Sequence, residues 1–249
     1  MTDYLYDGSF PGLLTCVYEH YYGDRASGIY TKENYQQTLL NTFRVVETDE
    51  EKANRVAAAV EKKISGRALR SAYRAWLSSV PGREMIILNY LVLGFRKGPS
   101  VDSLRGEEAV FALQSILKKI SVEKERMLQF VRFSEMGSPG HEILYAEVEP
   151  AHDVLELIGD HFADRFSTEA FIIRDVERNK AIVSAGGSWY MAEDFSPDKL
   201  PEFTGEEEEF RRLWRTYYDH IGISERRNEA LRRKFMPLRY ARHLTELQG

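Results

Sequence analysis

The sequence predicts an α+β protein, and three patterns support that class. Apolar residues recur at helical spacing in the first hundred residues, as at Val56, Val60 and Ile64. From about residue 129 polar and apolar residues alternate, which is typical of strands. Helical spacing returns from Glu206. We therefore expect a helical N-terminal part, a central antiparallel β-β-α-β-β sheet with one packed helix, and a helical C-terminal tail.

The N-terminal region, residues 1–100, is expected to be mostly helical. A short strand at residues 4–6 precedes a helix that begins near Pro11 and ends around Tyr22. A second strand-like run at 43–47 leads into a helix that is capped at Thr48 and Asp49. Further helices follow in two segments, and the second is so apolar that it must be buried. These two helices are predicted at 68–79 and 83–97.

The remaining region, residues 101–249, carries the predicted sheet. A long helix leads into a first hairpin, a second helix connects the hairpins, and a second hairpin completes the four strands. The predicted elements are a helix at 104–126, strands at 129–136 and 142–148, a helix at 151–166, and strands at 170–175 and 180–185. The two regions could equally form one integrated unit.

Charge is distributed unevenly along the chain. Between Arg211 and Arg242 ten basic residues stand against three acidic ones, whereas the whole chain has a net charge of −5. Aromatic residues such as Trp214 and Tyr217 alternate with these arginines. Arginine and aromatic side chains together suit phosphate contact and base stacking in single-stranded or distorted nucleic acid. A solvated helix face, with its charge offset by the acidic run at 206–209, is the simpler alternative.

Composition argues against several classes of protein. The chain has one cysteine, Cys16, so no disulfide and no multi-cysteine metal or iron–sulfur site can form within it. The N-terminus has no basic flank before an apolar run, and no stretch approaches the ~20 apolar residues that span a bilayer. We expect a cytoplasmic protein with no membrane partner. The motifs of common nucleotide-binding, hydrolase and zinc sites are missing.

Histidine and carboxylate residues are concentrated between residues 141 and 164, which raises the question of a metal site. His152 and His161 are nine residues apart, so on one continuous helix they would lie on opposite faces. We therefore expect no bound metal and no cofactor. His161 and Arg165, at positions i and i+4, could present an imidazole and a guanidinium to a phosphate. A histidine at the edge of the core explains His161 equally well.

Several stretches resemble one uncharacterised bacterial family. They are YLYDGSFPGLLTCVYEHYY at residues 4–22, FVRF at 130–133, ILYAEVEPAHDVL at 143–155, HFADRF at 161–166, FIIRD at 171–175 and ERRNEALRRKFMPLRYARHLTE at 225–246. The family is described as a probable DNA metabolism protein with a radical-SAM partner that is proposed to modify or repair DNA. Some members resemble fusions to a uracil-DNA glycosylase domain.

The resemblance implies a function but no catalytic residue. The family's patterns fall on Arg227, Asn228, Met236, Pro237, Arg239 and Tyr240 near the C-terminus, and on His161, Phe162, Arg165 and Phe166 in the centre. With one cysteine, the chain would be the companion of the radical enzyme and not that enzyme itself.

The favoured hypothesis is a DNA-binding accessory protein that acts with a separate radical-SAM-type repair or modification enzyme. The candidate nucleic-acid contacts are Arg226, Arg227, Arg232, Arg233, Lys234, Arg239, Arg242, His161 and Arg165. A catalytic DNA-processing enzyme is an alternative, with His161, Asp153 and Asp175 as its least implausible site residues. A protein-interaction scaffold, whose arginines dock on an acidic partner, is a third.

Overall fold

The structure, a computed structural model, confirms the α+β class. It describes residues 2–37, 41–138, 140–197, 200–221, 230–231 and 236–245. The chain divides into two compact units, Met1–Ser121 and Val122–Gly249. The predicted tail residues Arg226, Arg227, Arg232, Arg233 and Lys234 lie outside the described residues.

A three-stranded parallel sheet forms the start of the N-terminal unit. Its strands are β1 (Thr2–Tyr6), β2 (Ala26–Thr31) and β3 (Thr42–Val45), in the order β2-β1-β3. Helix α1 (Phe10–Tyr22) connects β1 to β2, as parallel strands require a crossover. The hydroxyl of Ser9 caps α1 by accepting a 3.0 Å hydrogen bond from the Gly12 amide. Tyr4 and Tyr6 of the central strand are buried.

The expectation of a mostly helical N-terminal region is therefore incomplete. The sequence pattern revealed β1 and β3 but not β2, whose segment ASGIYT includes Gly28 and small polar residues that weaken a strand signal. Helices fill the rest of the unit. They are α2 (Glu50–Lys63), α3 (Gly66–Trp76), α4 (Arg83–Lys97), a 3₁₀ turn (Gly98–Ser103) and the first part of the long α5 (Glu108–Phe130), whose residues from Val122 onward belong to the C-terminal unit. As expected of so apolar a helix, α4 buries Ile87, Leu88 and Leu91 completely.

A five-stranded mixed sheet forms the centre of the C-terminal unit. Its strands are β4 (Ser134–Ser138), β5 (His141–Val148), β6 (Phe171–Asp175), β7 (Lys180–Ala185) and β8 (Ser188–Ala192), paired in chain order. Strands β5 and β6 are parallel, and the other neighbours are antiparallel. Helix α6 (Glu156–Arg165) makes the crossover between β5 and β6.

The prediction of four antiparallel strands is wrong on two counts. The connection through α6 makes β5 and β6 parallel, which alternation alone does not reveal. The fifth strand, β8, follows a tight turn at Gly186 and Gly187, whose φ angles of 63° and 80° suit a two-residue hairpin. The helix boundaries also differ from those predicted, because α5 extends through Phe130 into the predicted first strand. Helix α6 begins five residues later than the predicted start at residue 151.

Two helices complete the described part of this unit: α7 (Gly205–Ile221) and the short α8 (Leu238–Ala241). The start of α7 is attached to β4, because the Thr204 amide donates a 3.1 Å hydrogen bond to the carbonyl of Glu135. Arg211 of α7 also donates to the hydroxyl of Ser134. Helix α8 buries Tyr240, whose ring stacks on Phe130 at 5.9 Å.

Candidate nucleic-acid interface

A cleft of about 440 Å³ opens in the C-terminal unit, and we call it the aromatic–arginine cleft. It lies between the end of α5, helix α6 and helix α7. The lining residues are Leu128, Gln129, Val131, Arg132, Phe133, Phe162, Arg165, Phe166, Glu207, Phe210, Trp214 and Thr245. Its volume is within the range of ~300–1,000 Å³ that is usual for small-molecule sites.

Three phenylalanine rings, Phe133, Phe162 and Phe166, form the floor of the cleft, and the buried Phe171 packs against them. Phe133 meets Phe162 at 5.4 Å, Phe166 at 4.9 Å and Phe171 at 5.9 Å, each edge to face. Edge-to-face packing is the favourable arrangement for such rings and holds them in fixed orientations. Phe162 is buried in this cluster. The floor is therefore rigid and apolar.

Helix α7 supplies a wall of aromatic rings. Phe210 stacks on Trp214 with centroids 6.4 Å apart and planes inclined by 12°. Trp214 stacks in turn on Tyr217 at 5.6 Å and 23°. Phe210 and Tyr217 are more than half exposed, at 60% and 55%. Aligned, exposed ring faces of this kind are suited to stacking with the planar bases of a nucleic acid.

The charge at the cleft is positive. Arg132 and Arg165 line it, and the guanidinium of Arg165 lies 5.4 Å from the centre of the Phe166 ring. Among the described residues no carboxylate forms an ion pair with Arg165, which is exposed. Glu207, the acidic side chain among the described lining residues, is neutralised by Arg211, whose Nε lies 2.7 Å from Oε1. The cleft thus combines ring faces with at least one available guanidinium.

His161 and Arg165, predicted together from their spacing, both lie on α6. Arg165 lines the cleft, whereas His161 is exposed beside it with its ring 5.2 Å from that of Phe162. The structure thus brings both residues to the neighbourhood of the cleft. It also revises the argument about metals, because His152 precedes α6 and the two histidines do not share one helix. Within the described ranges, no three His, Cys, Asp or Glu side chains are grouped to hold a metal ion.

Two of the predicted tail arginines are described, and both form ion pairs. Nη2 of Arg239 lies 3.5 Å from Oε1 of the buried Glu123, and its guanidinium lies 4.8 Å from the centre of the Tyr240 ring. Nη1 of Arg242 lies 3.4 Å from Oε2 of Glu149, with most of its side chain exposed. Arg242 is therefore the more accessible of the two. That either contacts DNA stays a prediction.

The alternative catalytic residues are engaged elsewhere. Oδ2 of Asp153 lies 3.1 Å from Nζ of Lys180. Asp175 is buried, and its carboxylate accepts hydrogen bonds from the Glu177 and Arg178 amides and from the Arg178 guanidinium. Burial raises the pKa of Asp175, although Arg178 opposes the shift. Asp175 thus shapes the β6–β7 turn, and within the described residues no hydrogen bond links either aspartate to His161.

A polar network lies beside the cleft. Tyr145 donates a 2.7 Å hydrogen bond to Oε1 of Glu147, and Nη1 of Arg174 donates to the same oxygen at 3.1 Å. Burial and this carboxylate raise the pKa of Tyr145, so the phenol stays protonated at neutral pH. Nε2 of His243 lies 3.2 Å from Oε1 of Glu149 without the alignment of a hydrogen bond. Nδ1 of His243 lies 4.0 Å from Oε2 of Glu147, which brings the segment after α8 next to strand β5.

Arg132, Phe133 and Phe210 line the cleft but are not among the contacts predicted from the sequence. Arg132 and Phe133 belong to the FVRF stretch, which contributes to the family resemblance and does not by itself predict a binding site. Phe210 directly precedes Arg211, the first arginine of the basic segment. Its spacing of four residues from Trp214 predicts a shared helix face and could have revealed the aromatic wall.

The fold defines the structural class of this chain, and comparison with known proteins identifies its family. The arrangement is that of an α+β protein whose C-terminal unit carries the cleft, and residues 81–246 match the model of the family described as Domain of unknown function (DUF4130). The chain belongs to that family. A search of curated proteins found no significant match. Within the described residues, no helix combines the length and apolar character needed to cross a membrane.

One solved structure shows a weak likeness. It is described as a pGpG-specific phosphodiesterase, PggH, from Vibrio cholrae, with 8% sequence identity and a TM-score of 0.34. The match covers 89% of this chain and 100% of that one. A likeness at this level carries no argument about fold or function.

Proposed function

We propose that this protein binds DNA in the cytoplasm, holds unpaired nucleotides of a strand in the aromatic–arginine cleft, and presents them to a separate repair or modification enzyme. The observation that carries this proposal is the stacked series Phe210, Trp214 and Tyr217, whose first two members line the cleft together with Arg165. Exposed aromatic rings forgo the stabilisation of burial, and a contiguous set of them is typical of a binding surface.

The chemistry of the cleft favours an unpaired base over a paired one. A base stacked on an aromatic side chain gains roughly 1–3 kcal/mol, and it must be unpaired or displaced for its face to reach the ring. The cleft of about 440 Å³ has room for a base with its sugar. Arg165, at the same cleft, can meet the neighbouring phosphate with a planar, bidentate guanidinium.

The remaining predicted contacts would hold the phosphates of the strand. Arg226, Arg227, Arg232, Arg233 and Lys234 supply the positive charge of the tail, with Arg242 and His161 as further contacts. Arg239 is the weakest member of this set, because Glu123 and Tyr240 already occupy its guanidinium. Such contacts bind nucleic acid without regard to its sequence.

The enzyme partner in this proposal follows from the resemblance described above. That resemblance implies a radical-SAM protein that modifies or repairs DNA, and this chain has one cysteine where a radical-SAM cluster requires three. In this proposal, this protein binds the strand and the partner performs the chemistry. The implied radical-SAM partner and the single cysteine of this chain both support that division of roles.

The test compares single-stranded and duplex oligonucleotides by fluorescence anisotropy across a salt titration. Phe210→Ala is expected to weaken single-strand binding by about 5-fold to 100-fold, the usual loss of one base–aromatic stack. Arg165→Ala should reduce the log–log salt slope by about 0.7, the value for one phosphate contact on a single strand. Wild-type protein should prefer the single strand.

Matched controls are available elsewhere in the chain. Phe111 is 67% exposed, close to the 60% of Phe210, and lies on α5 outside the lining of the cleft. Arg105 is an exposed arginine that is also absent from the lining. Phe111→Ala and Arg105→Ala should leave binding unchanged. Equal binding by all four variants and wild type would reject the cleft as the DNA site and leave the scaffold hypothesis ahead.

A further inference from the structure

A second cleft, in the N-terminal unit, combines tyrosine rings with two cations. It has a volume of about 400 Å³ and lies between the C-terminal half of α1, helix α2 and the end of α4. Tyr18, Tyr21, Tyr22 and Phe95 contribute its rings, and Arg55 and Lys63 contribute its charge. Among the residues that the structure describes, no acidic side chain lines it. We call it the tyrosine cleft.

The rings of the tyrosine cleft are arranged in two contacts. Tyr18 and Tyr22 pack with centroids 4.5 Å apart, and Tyr21 meets Phe95 edge to face at 5.7 Å. Tyr22 is 74% exposed and Tyr21 45%, although both are large and mainly apolar. Helix α1 therefore presents ring faces to solvent at a concave surface, where a planar ligand can stack on them.

The two cations determine which ligand charge the tyrosine cleft favours. The guanidinium of Arg55 lies 5.4 Å from the centre of the Tyr18 ring. Among the described residues neither Arg55 nor Lys63 forms an ion pair, whereas the nearby Lys52 is engaged by Glu19 and Asp49. Two unneutralised cations at a site without carboxylates repel a cationic ligand and attract an anion. An arginine adds the planar donor pair that fits phosphate.

We propose that the tyrosine cleft binds a nucleotide, with its base stacked on Tyr22 and its phosphate between Arg55 and Lys63. This site is separate from the aromatic–arginine cleft, and the inference does not rest on the function proposed for that cleft. The shared chemistry, a planar base that carries a phosphate, belongs to a free nucleotide and to an unpaired nucleotide of a strand.

The experiment is calorimetric titration of the full chain with adenosine 5′-monophosphate, with adenosine and with a 3′,5′-linked adenine dinucleotide. Every titration uses a chain that also carries Phe210→Ala and Arg165→Ala, so that binding at the aromatic–arginine cleft is weakened and contributes little to the measured affinity. Adenosine monophosphate should bind at least tenfold more tightly than adenosine. Arg55→Ala with Lys63→Ala should remove that difference. Tyr22→Ala should weaken both ligands about fivefold or more, and Tyr22→Phe should restore binding.

The control variant removes the same charge from neighbouring surface positions. Lys62 on α2 and Arg70 on α3 are exposed and do not line the cleft. Lys62→Ala with Arg70→Ala should leave all three affinities unchanged. Tighter binding of the monophosphate than of the dinucleotide indicates a free nucleotide, and the reverse indicates a strand. Unchanged affinity in the Arg55/Lys63 variant, or no binding once the C-terminal cleft is altered, would overturn the proposal.

Discussion

Nη2 of Arg239 lies 3.5 Å from Oε1 of Glu123, a carboxylate that is almost completely excluded from solvent. The same carboxylate accepts a hydrogen bond from the Ala151 amide. Burial and Glu123 together raise the pKa of Tyr240, next to Arg239, to about 12. Arg239 therefore has a structural partner, although the sequence placed it in a DNA-binding segment.

Arg239→Ala is expected to lower the free energy of unfolding by about 1–3 kcal/mol, because it leaves Glu123 buried without its cation. The loss should be smaller than the ~3–5 kcal/mol of a fully buried pair, since the Arg239 side chain is 36% exposed. Arg242→Ala is the matched control, and it should change stability by less than about 0.5 kcal/mol because that side chain is 71% exposed. Urea denaturation measures both, and equal losses would contradict the structural role.

Glu19 provides a test of pH dependence. It accepts a 2.9 Å hydrogen bond from Lys52 Nζ and a 2.7 Å hydrogen bond from Arg44 Nη2. The bond from Lys52, the largest effect, lowers the pKa of Glu19 below its ordinary value of 4.5. Because the folded pKa is depressed, the stabilisation is complete above that ordinary value and is lost as pH falls through the folded pKa.

Glu19→Gln should therefore destabilise the protein at pH 7 by about 0.5–1 kcal/mol, because Glu19 is largely buried but Arg44 and Lys52 are 44% and 36% exposed and solvent screens both ion pairs. The difference in stability between variant and wild type should narrow as pH falls below 4.5. Thermal unfolding at a series of pH values measures it. A gap that stays constant down to pH ~2 would mean that the ion pairs of Glu19 contribute nothing to the acid sensitivity.

Phe162→Ala is expected to cost about 3–5 kcal/mol, the usual loss for a buried phenylalanine. The reason is that its ring contacts Phe133 at 5.4 Å and Phe171 at 6.5 Å beneath α6. The readout is the free energy of unfolding in urea. A loss below about 1 kcal/mol would show that this face of α6 is not packed on the sheet.

Gly159→Ala sets helix propensity against packing. Alanine stabilises a helix by about 1 kcal/mol relative to glycine. However, a Cβ at Gly159 would lie 2.5 Å from Cε2 of Trp189, whose indole donates a 2.8 Å hydrogen bond to Asp160. Because this overlap requires the indole to move, we expect net destabilisation of roughly 1–2 kcal/mol and a shift in tryptophan fluorescence.

The control for this substitution is Gly106→Ala, since a Cβ at Gly106 has no neighbouring atom within 4 Å. That variant should leave both stability and fluorescence unchanged. A Gly159→Ala protein that is more stable than wild type would mean that the Trp189 indole can be displaced with little loss of free energy.

The α+β class and most of the elements with local signals can be predicted from the amino-acid sequence. The turn after β1, with Ser9 as cap and Pro11 in the first turn, predicts α1 correctly because capping depends on neighbouring residues. The apolar run of α4 likewise predicts a buried helix. The sequence also predicts correctly that His161 and Arg165 lie on one helix, because neighbours at positions i and i+4 depend on the helix geometry alone.

The pairing of the strands and the residues that share a site depend on contacts between distant parts of the chain. Strands β5 and β6 are parallel because α6 carries the chain back across the sheet, and no local pattern records that crossover. The aromatic–arginine cleft assembles Phe133, Phe166 and Phe210 from segments far apart in the chain. Whether an arginine is available or paired depends on equally distant carboxylates, as Glu123 shows for Arg239. Such contacts depend on packing, which residue spacing does not encode.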